Sequence, residues 1–390
     1  MSMNFSPSDN QEAVGDAVAT ICKKFSDDYW LERDRDGRFP HDFYQLFAEA
    51  GWLGICIPEE YGGAGLGIAE ASTMMRTIAE SGAGMSGASC LHINIFGLNP
   101  VVVYGTDEQK RRSLPAMLSG KDKVCFGVTE PNTGLNTTEL KTRAVKKGDR
   151  YIVDGQKVWI STAQVANKIL LLARTTPLEN VKKPAQGLSM FYTDLDRTKI
   201  EVREIDKMGR KCVDSNELFI EGLEVPEEDR IGEEGYGFQY ILEGLNPERV
   251  LIASEAVGLG HAALRRATNY AKERVVFNRP IGMNQSIQHP LAVNWMELEA
   301  AWLMVQRAAW EYDSGLFCGP SANAAKYLAG EAGFNACQQA IMTHGGFGYA
   351  KEYHVERYLR EVMIPRIAPI SPQLVLSYIA ERVLGLPKSY

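Results

Sequence analysis

The strongest constraint on this chain is a double change of hydrophobic period. Up to about residue 122, apolar residues recur at helical spacing, most clearly at Val14, Val18, Ile21 and Phe25. At Val124 the pattern becomes that of short strands: CFGVTE, LKTRAVKKGDRYIVDGQKVWIS, NKILLLARTT, GLSMFYTDL, IEVREIDKM and SNELFIEGLEV, separated by Gly, Asp-Gly or Pro breaks. From Tyr236 the helical period returns and runs to the end. The 390 residues are also too many for one ordinary core. The pattern predicts an α+β multi-domain chain: an N-terminal helical domain over 1–122, a middle β-barrel or sandwich domain over 123–235, and a C-terminal four-helix bundle domain over 236–390. Helices split around a β-domain leave two helical faces and one sheet face to enclose a site.

Within this frame, helices are predicted over 11–30, 41–50, 69–81 and 93–104. Thr106 to Gln109 reads as a capping box opening another helix. The bundle helices are predicted over about 247–274, 285–314, 321–343 and 373–384. Hairpin turns are predicted at 147–149 and at Asp154-Gly155. The IPEEYGGAGLG stretch lacks both a preceding strand and a following Lys-Ser/Thr, so it reads as a connector and not a phosphate loop.

Composition narrows the function classes. Apolar residues make up 45% and charged residues 23%, as in a soluble globular protein. A net charge of −7 implies no basic face, which argues against nucleic acid or an anionic membrane as partner. No apolar run approaches the roughly 20 residues of a membrane span. The stretch MSMNFSPSDNQEAV lacks a charged region followed by an apolar core and is not Arg-rich, so a cytoplasmic chain is expected, with a mature mitochondrial-matrix form as the alternative. Seven cysteines without a C-x-x-C pair fit a reducing compartment. Six histidines without ligand spacing argue against a metal site.

Several motifs then occur in one order: IPEEYGG (57–63), VTEP (128–131), WIS (159–161), RxxF (274–277) with PIG (280–282) and QxxQ (285–288), GGFGY (345–349), and a closing LGLP. In these the chain resembles the acyl-CoA dehydrogenases over nearly its full length. The resemblance implies an α-domain, a β-domain and a four-helix domain, with FAD as cofactor. It also implies a homotetramer built on dimers, with FAD held partly across the dimer interface. The implied reaction is α,β-dehydrogenation of an acyl-CoA to a trans-2-enoyl-CoA. Electrons would pass to an electron-transfer flavoprotein.

The same resemblance assigns residues. Trp159 offers a rigid wall for a flavin, and Thr129 and Ser161 offer hydroxyls for its edge, although the family more often has Thr in place of Ser161. Arg274, Phe277, Gln285 and Gln288 would reach the diphosphate and adenosine of a neighbouring subunit's FAD. Gly345 and Gly346 would allow close backbone approach to that dinucleotide. Met342 stands where the family often has a contacting Gln. Ser371 and Gln373 complete the cofactor set, and Arg249 and Asn136 are assigned to the substrate.

The reaction needs a desolvated carboxylate of raised pKa opposite the flavin. In many members this Glu lies near the C-terminus, where this chain has Pro369. In the isovaleryl-CoA and long-chain enzymes it lies on a bundle helix just before an Arg. The LNPER segment (245–249) matches that arrangement and makes Glu248 the base. On the sequence alone, Asn246 would cap this helix and Pro247 would occupy its first turn, leaving Glu248 at the positive end of the dipole. Pro369 also lacks the backbone N–H that the family uses to hold the thioester oxygen, and Leu135 and Asn136 replace the usual Ser and Asp of the loop after VTEP. These departures keep two alternatives open: related flavin chemistry on acyl-CoA, such as an oxidase or desulfinase, or a weakly active or non-catalytic subunit of a hetero-oligomer.

Overall fold

The structure, a computed structural model, describes residues 6–389, without the side chains of Asn94, Phe96 and Glu243. Met1–Phe5, part of the N-terminal stretch read above, lie outside the described residues. Seven helices come first: α1 Asp9–Cys22, α2 Asp27–Asp36, α3 His41–Glu49, α4 Ile68–Ile78, α5 Gly84–Phe96, α6 Asn99–Tyr104 and α7 Asp107–Leu118. The predicted 11–30 helix is two helices, because Ser26 ends the linker after α1 and caps α2 through its side chain. The Thr106–Gln109 capping box forms in full at the start of α7.

Eight strands follow: β1 Val124–Gly127, β2 Arg143–Lys147, β3 Arg150–Ser161, β4 Lys168–Arg174, β5 Leu188–Asp194, β6 Ile200–Glu204, β7 Ser215–Pro226 and β8 Arg230–Ile231. They form one sheet in the order β6-β7-β3-β2-β4-β5-β8, with β1 parallel to β4. The 147–149 turn joins β2 to β3 as predicted. Asp154-Gly155 is not a turn. It lies inside β3 at a shift in the β3–β7 register, and a Cβ on Gly155 would stand 2.4 Å from Thr142 Oγ1. The close approach of that neighbour, rather than a chain reversal, explains the glycine.

The remainder comprises α8 Gly237–Glu273, a small hairpin of β9 Val275–Val276 and β10 Arg279–Pro280, then α9 Gln285–Asp313, α10 Gly319–His344, α11 Val355–Ile367 and α12 Pro372–Tyr378. α11 was not foreseen, and α8 starts ten residues before the predicted 247.

Among the described residues, two hydrophobic clusters hold the chain together. The larger one joins the N-terminal helices to the bundle and reaches one face of the sheet; the smaller one lies on the other face. β4 shows why: Leu170 and Leu172 belong to the first, while Ile169, Leu171 and Ala173 belong to the second. A strand buried on both faces reads as a continuous apolar run.

Polar contacts tie distant segments. The Asp313 carboxylate at the end of α9 accepts from Ile68 N and Ala69 N (2.8 and 2.9 Å), closing the start of α4. Arg360 of α11 pairs with Asp34 of α2 and with Glu356. An 18-residue window within Val355–Val383 has a mean hydropathy of 1.2, but the segment is two helices interrupted between Ile367 and Pro372, and its first half buries Arg357 and Glu361 in the protein.

Candidate active site

The expected flavin-edge residues meet at one end of the sheet. The carboxylate of Glu130 accepts from Lys141 N (2.7 Å), Thr142 N (2.9 Å) and Lys157 Nζ (2.9 Å), and Lys157 also donates to Val128 O (3.0 Å). Val158 N donates to Thr129 O at 2.9 Å. These bonds lock the turn bearing Thr129 onto the end of β3. Burial works against both charges. It brings Lys157 down to about 8, while for Glu130 the ammonium and the N–H donors outweigh burial and hold its pKa below the usual carboxylate value. The pair is therefore ionic at neutral pH.

Just beyond, the β3–β7 ladder slips between Lys157 and Ile160, and Trp159 takes a positive φ of 61°. Its indole stands 59% exposed in this chain. A tryptophan held in a left-handed conformation and turned outward is a costly arrangement that a packed strand would not select. Ser161 ends the strand, and its Oγ accepts from Arg210 Nη2 at 3.0 Å. Arg210 Nε is buried without a hydrogen-bond partner among the described residues.

Helix α5 packs on both β1 and α8 and so connects this edge to Glu248. The early start of α8 corrects the local reading. Asn246 is not a cap, Pro247 lies inside the helix, and Glu248 is not at the positive end of the dipole. No dipole then lowers its pKa. Burial, opposed by His92 and Arg249 and reinforced by Glu255, raises Glu248 to about 7. Asn246 instead accepts from Arg249 Nη1 (2.9 Å), and Arg249 Nε has no hydrogen-bond partner among the described residues. Arg249 is in electrostatic reach of Tyr378 and of Lys326.

Lys326 donates to Ile370 O (2.7 Å) and Arg366 O (3.2 Å), so the linker carrying Pro369 gathers on the same side as Arg249. Ser371 caps α12 by accepting from Leu374 N (3.2 Å), and Gln373 is exposed. A cavity of about 120 Å³ opens beside Pro247, lined by Cys56, Leu66, Ile95, Asn99 and Tyr312 among others. Asn136 is exposed on the loop that Glu130 anchors.

The second expected set lies elsewhere. Arg274 follows α8, its guanidinium 5.4 Å from the Phe347 ring centre. Phe277 (φ 51°) and Asn278 (φ 63°) form the β9–β10 turn, and the phenyl ring is 94% exposed. Gln285 and Gln288 are exposed in the first turn of α9. A Cβ added to Gly345 or Gly346 would meet nothing within 4 Å. Residues 248 and 274 are about 39 Å apart along the helix axis at 1.5 Å per residue. The two sets therefore do not come together within one chain.

A flavin dinucleotide fits what each end offers: an outward indole with two hydroxyls and an orphaned guanidinium nitrogen at one, and an open diglycine with an exposed cation and aromatic ring at the other. Sequence reasoning missed Arg210, His92 and Glu255. Two of them left a signal, since Glu255 is the lone acid in the apolar run VLIASEAVGLG and His92 the lone imidazole in α5.

Comparison with known proteins agrees. The N-terminal, middle and C-terminal domain models of the acyl-CoA dehydrogenases match residues 8–121, 125–223 and 235–384. The acyl-CoA dehydrogenase FadE12 of Mycobacterium tuberculosis is 35% identical over 391 residues, covering 99% of each chain. Butyryl-CoA dehydrogenase from Megasphaera elsdenii superposes with a TM-score of 0.93 at 28% identity, over 98% of this chain and 100% of that one. The prolyl acyl carrier protein oxidase AnaB superposes with a TM-score of 0.91 at 27% identity, over 98% and 100%. The chain is a flavin-dependent oxidoreductase that uses FAD, and it belongs to the acyl-CoA dehydrogenase family.

Proposed function

We propose that this protein oxidises an acyl-CoA thioester to its trans-2-enoyl-CoA, with Glu248 as the base. The observation that carries this reading is the Glu248 carboxylate, raised by burial to about 7 on a helix that α5 joins to the flavin-edge strand β1. A base of near-neutral pKa can take the α-proton and return it to water within one turnover. FAD, when bound, supplies the acceptor for the β-hydride.

The chain's own groups supply the rest. Thr129 and Ser161 hold the flavin edge and Trp159 walls the ring. Pro369 has no N–H to offer the thioester oxygen. We assign that role to Ile370 N–H, which makes no hydrogen bond among the described residues and whose own carbonyl is held by Lys326. We assign the cavity of about 120 Å³ beside Pro247 to the acyl tail. Arg249 and Asn136 are assigned to the substrate side.

Arg274, Phe277, Gln285, Gln288, Gly345 and Gly346 are assigned to a neighbour's FAD, with Ser371 and Gln373 completing the cofactor set. The assembly is then a homotetramer built as a dimer of dimers, with an electron-transfer flavoprotein as acceptor and the cytoplasm as location.

The test is Glu248→Gln under anaerobic acyl-CoA. Flavin bleaching should slow by about 10²–10⁴; bleaching at the parent rate refutes the assignment. The likeness to an oxidase favours one second reading, in which O₂ re-oxidises the flavin. Peroxide formed in step with substrate, without dye reduction, would select it.

A further inference from the structure

His92 of α5 brings its Nδ1 against Glu255 Oε1 of α8. One turn earlier, Ser89 Oγ donates to the other carboxylate oxygen at 3.5 Å. Glu255 is wholly buried and His92 is 5% exposed. A buried pair of this kind is a poor stabilising device, since apolar residues of similar volume often serve as well or better. Its placement is what stands out. Glu255 follows Glu248 by seven residues, two turns along the same face of α8. α5 cannot drift, because Glu361 fixes its start by accepting from Ser86 N (3.2 Å) and Ser86 Oγ (2.7 Å).

The charged groups around the pair come from every element packed on it. Glu248 and Arg249 lie on α8, Arg210 on the segment before β7 is in reach of Glu255, and Glu361 on α11 is in reach of Arg210.

We propose that His92 and Glu255 form a positioning pair for the base. Glu255 holds the imidazole ring in place, and the imidazolium so held favours the carboxylate form of Glu248 that accepts the α-proton. Neither residue touches the reacting atoms. The direction follows from the charges: His92 opposes the effect of burial on Glu248, as Arg249 does, while Glu255 alone would add to it. This inference rests on Glu248 being the base.

The test uses the flavin-loaded full chain and an acyl-CoA whose β-carbon is replaced by sulfur, so that no β-hydride can leave. Deuterium uptake at the α-carbon is followed against pH. In His92→Gln the midpoint of the acid limb should rise by about one pH unit, the size expected for loss of a nearby unit charge inside a protein. Uptake would then be about tenfold slower well below the midpoint, and the deficit should close as pH rises. A midpoint that stays put while the whole curve scales overturns the proposal.

A second measurement does not depend on that variant folding. Histidine labelled with ¹³C is titrated in the parent chain and in Glu248→Gln. By reciprocity one histidine resonance should titrate lower in the variant, and no moving resonance overturns the proposal. The two readings separate cleanly. Parent-rate uptake in Glu248→Gln removes the base assignment. No uptake in Glu248→Gln with an unmoved midpoint in His92→Gln removes only the role of the pair.

Discussion

Lys157 and Glu130 are ion-paired at 2.9 Å where the lysine side chain is wholly buried, and the pair joins the turn bearing Thr129 to the strand that ends in Trp159 and Ser161. Lys157→Met should therefore do two things. It leaves Glu130 without its cation and should cost about 3–5 kcal/mol, read as a lower Tm. It also releases the flavin edge, so the purified variant should carry less FAD by absorbance. Adding Glu130→Gln to Lys157→Met should recover part of the Tm, because no buried charge is then left alone.

The proposed base must act as a carboxylate, and burial pushes Glu248 up to about 7. The rate of flavin reduction should therefore climb about tenfold per pH unit below 7 and level off above it. Stopped-flow bleaching from pH 5.5 to 9 checks this, and a flat profile would exclude a titrating base of this pKa.

The same shift has a stability consequence of opposite sense. Glu248 binds its proton more tightly folded than unfolded, so folding stability falls as pH rises from about 4.5 to 7 and stays reduced above. Glu248→Gln removes that penalty. The variant should melt higher than the parent at pH 8, by up to about 3 kcal/mol, and match it at pH 4. Calorimetry at the two pH values measures the difference.

Gly346 has no neighbour within 4 Å of a built Cβ and no positive φ, so nothing within one chain requires glycine there. Gly346→Ala should fold with unchanged Tm as the apoprotein but hold FAD more weakly. Equal FAD retention in parent and variant during dialysis would show that no dinucleotide passes this point.

Much of the fold could be read from period alone. The return of helical spacing at Tyr236 marked the bundle, and β4 announced a doubly buried strand by its unbroken LLLA. Local punctuation was less dependable. Asn246-Pro247 looks like a helix start, yet α8 runs through it, because Leu188 and Met190 of the sheet and the surrounding core support the earlier turns. Asp154-Gly155 looks like a hairpin, yet the glycine is set by Thr142 pressing from the residue just before β2. Tertiary contacts overruled local chemistry at both places. Within the site, the motifs gave the order in which Thr129, Trp159 and Ser161 come to one end of the sheet. Arg210 was not legible, and His92 and Glu255 showed only as a lone imidazole and a lone acid in apolar surroundings, since it takes the fold to bring these segments together.

The length of α8 carries a genetic consequence. Glu248 lies on α8 and Arg274 just past its end, too far apart to serve the same cofactor. In the proposed assembly, a chain with Glu248→Gln would still lend its Arg274 to a neighbour, and a chain with Arg274→Ala would keep its base. Each variant alone should be nearly inactive. Co-expressed, they should form mixed assemblies in which some sites combine the sound end of both, so that two defective alleles complement each other. If activity in the mixed preparation is no more than the average of the two, each subunit must complete its own site.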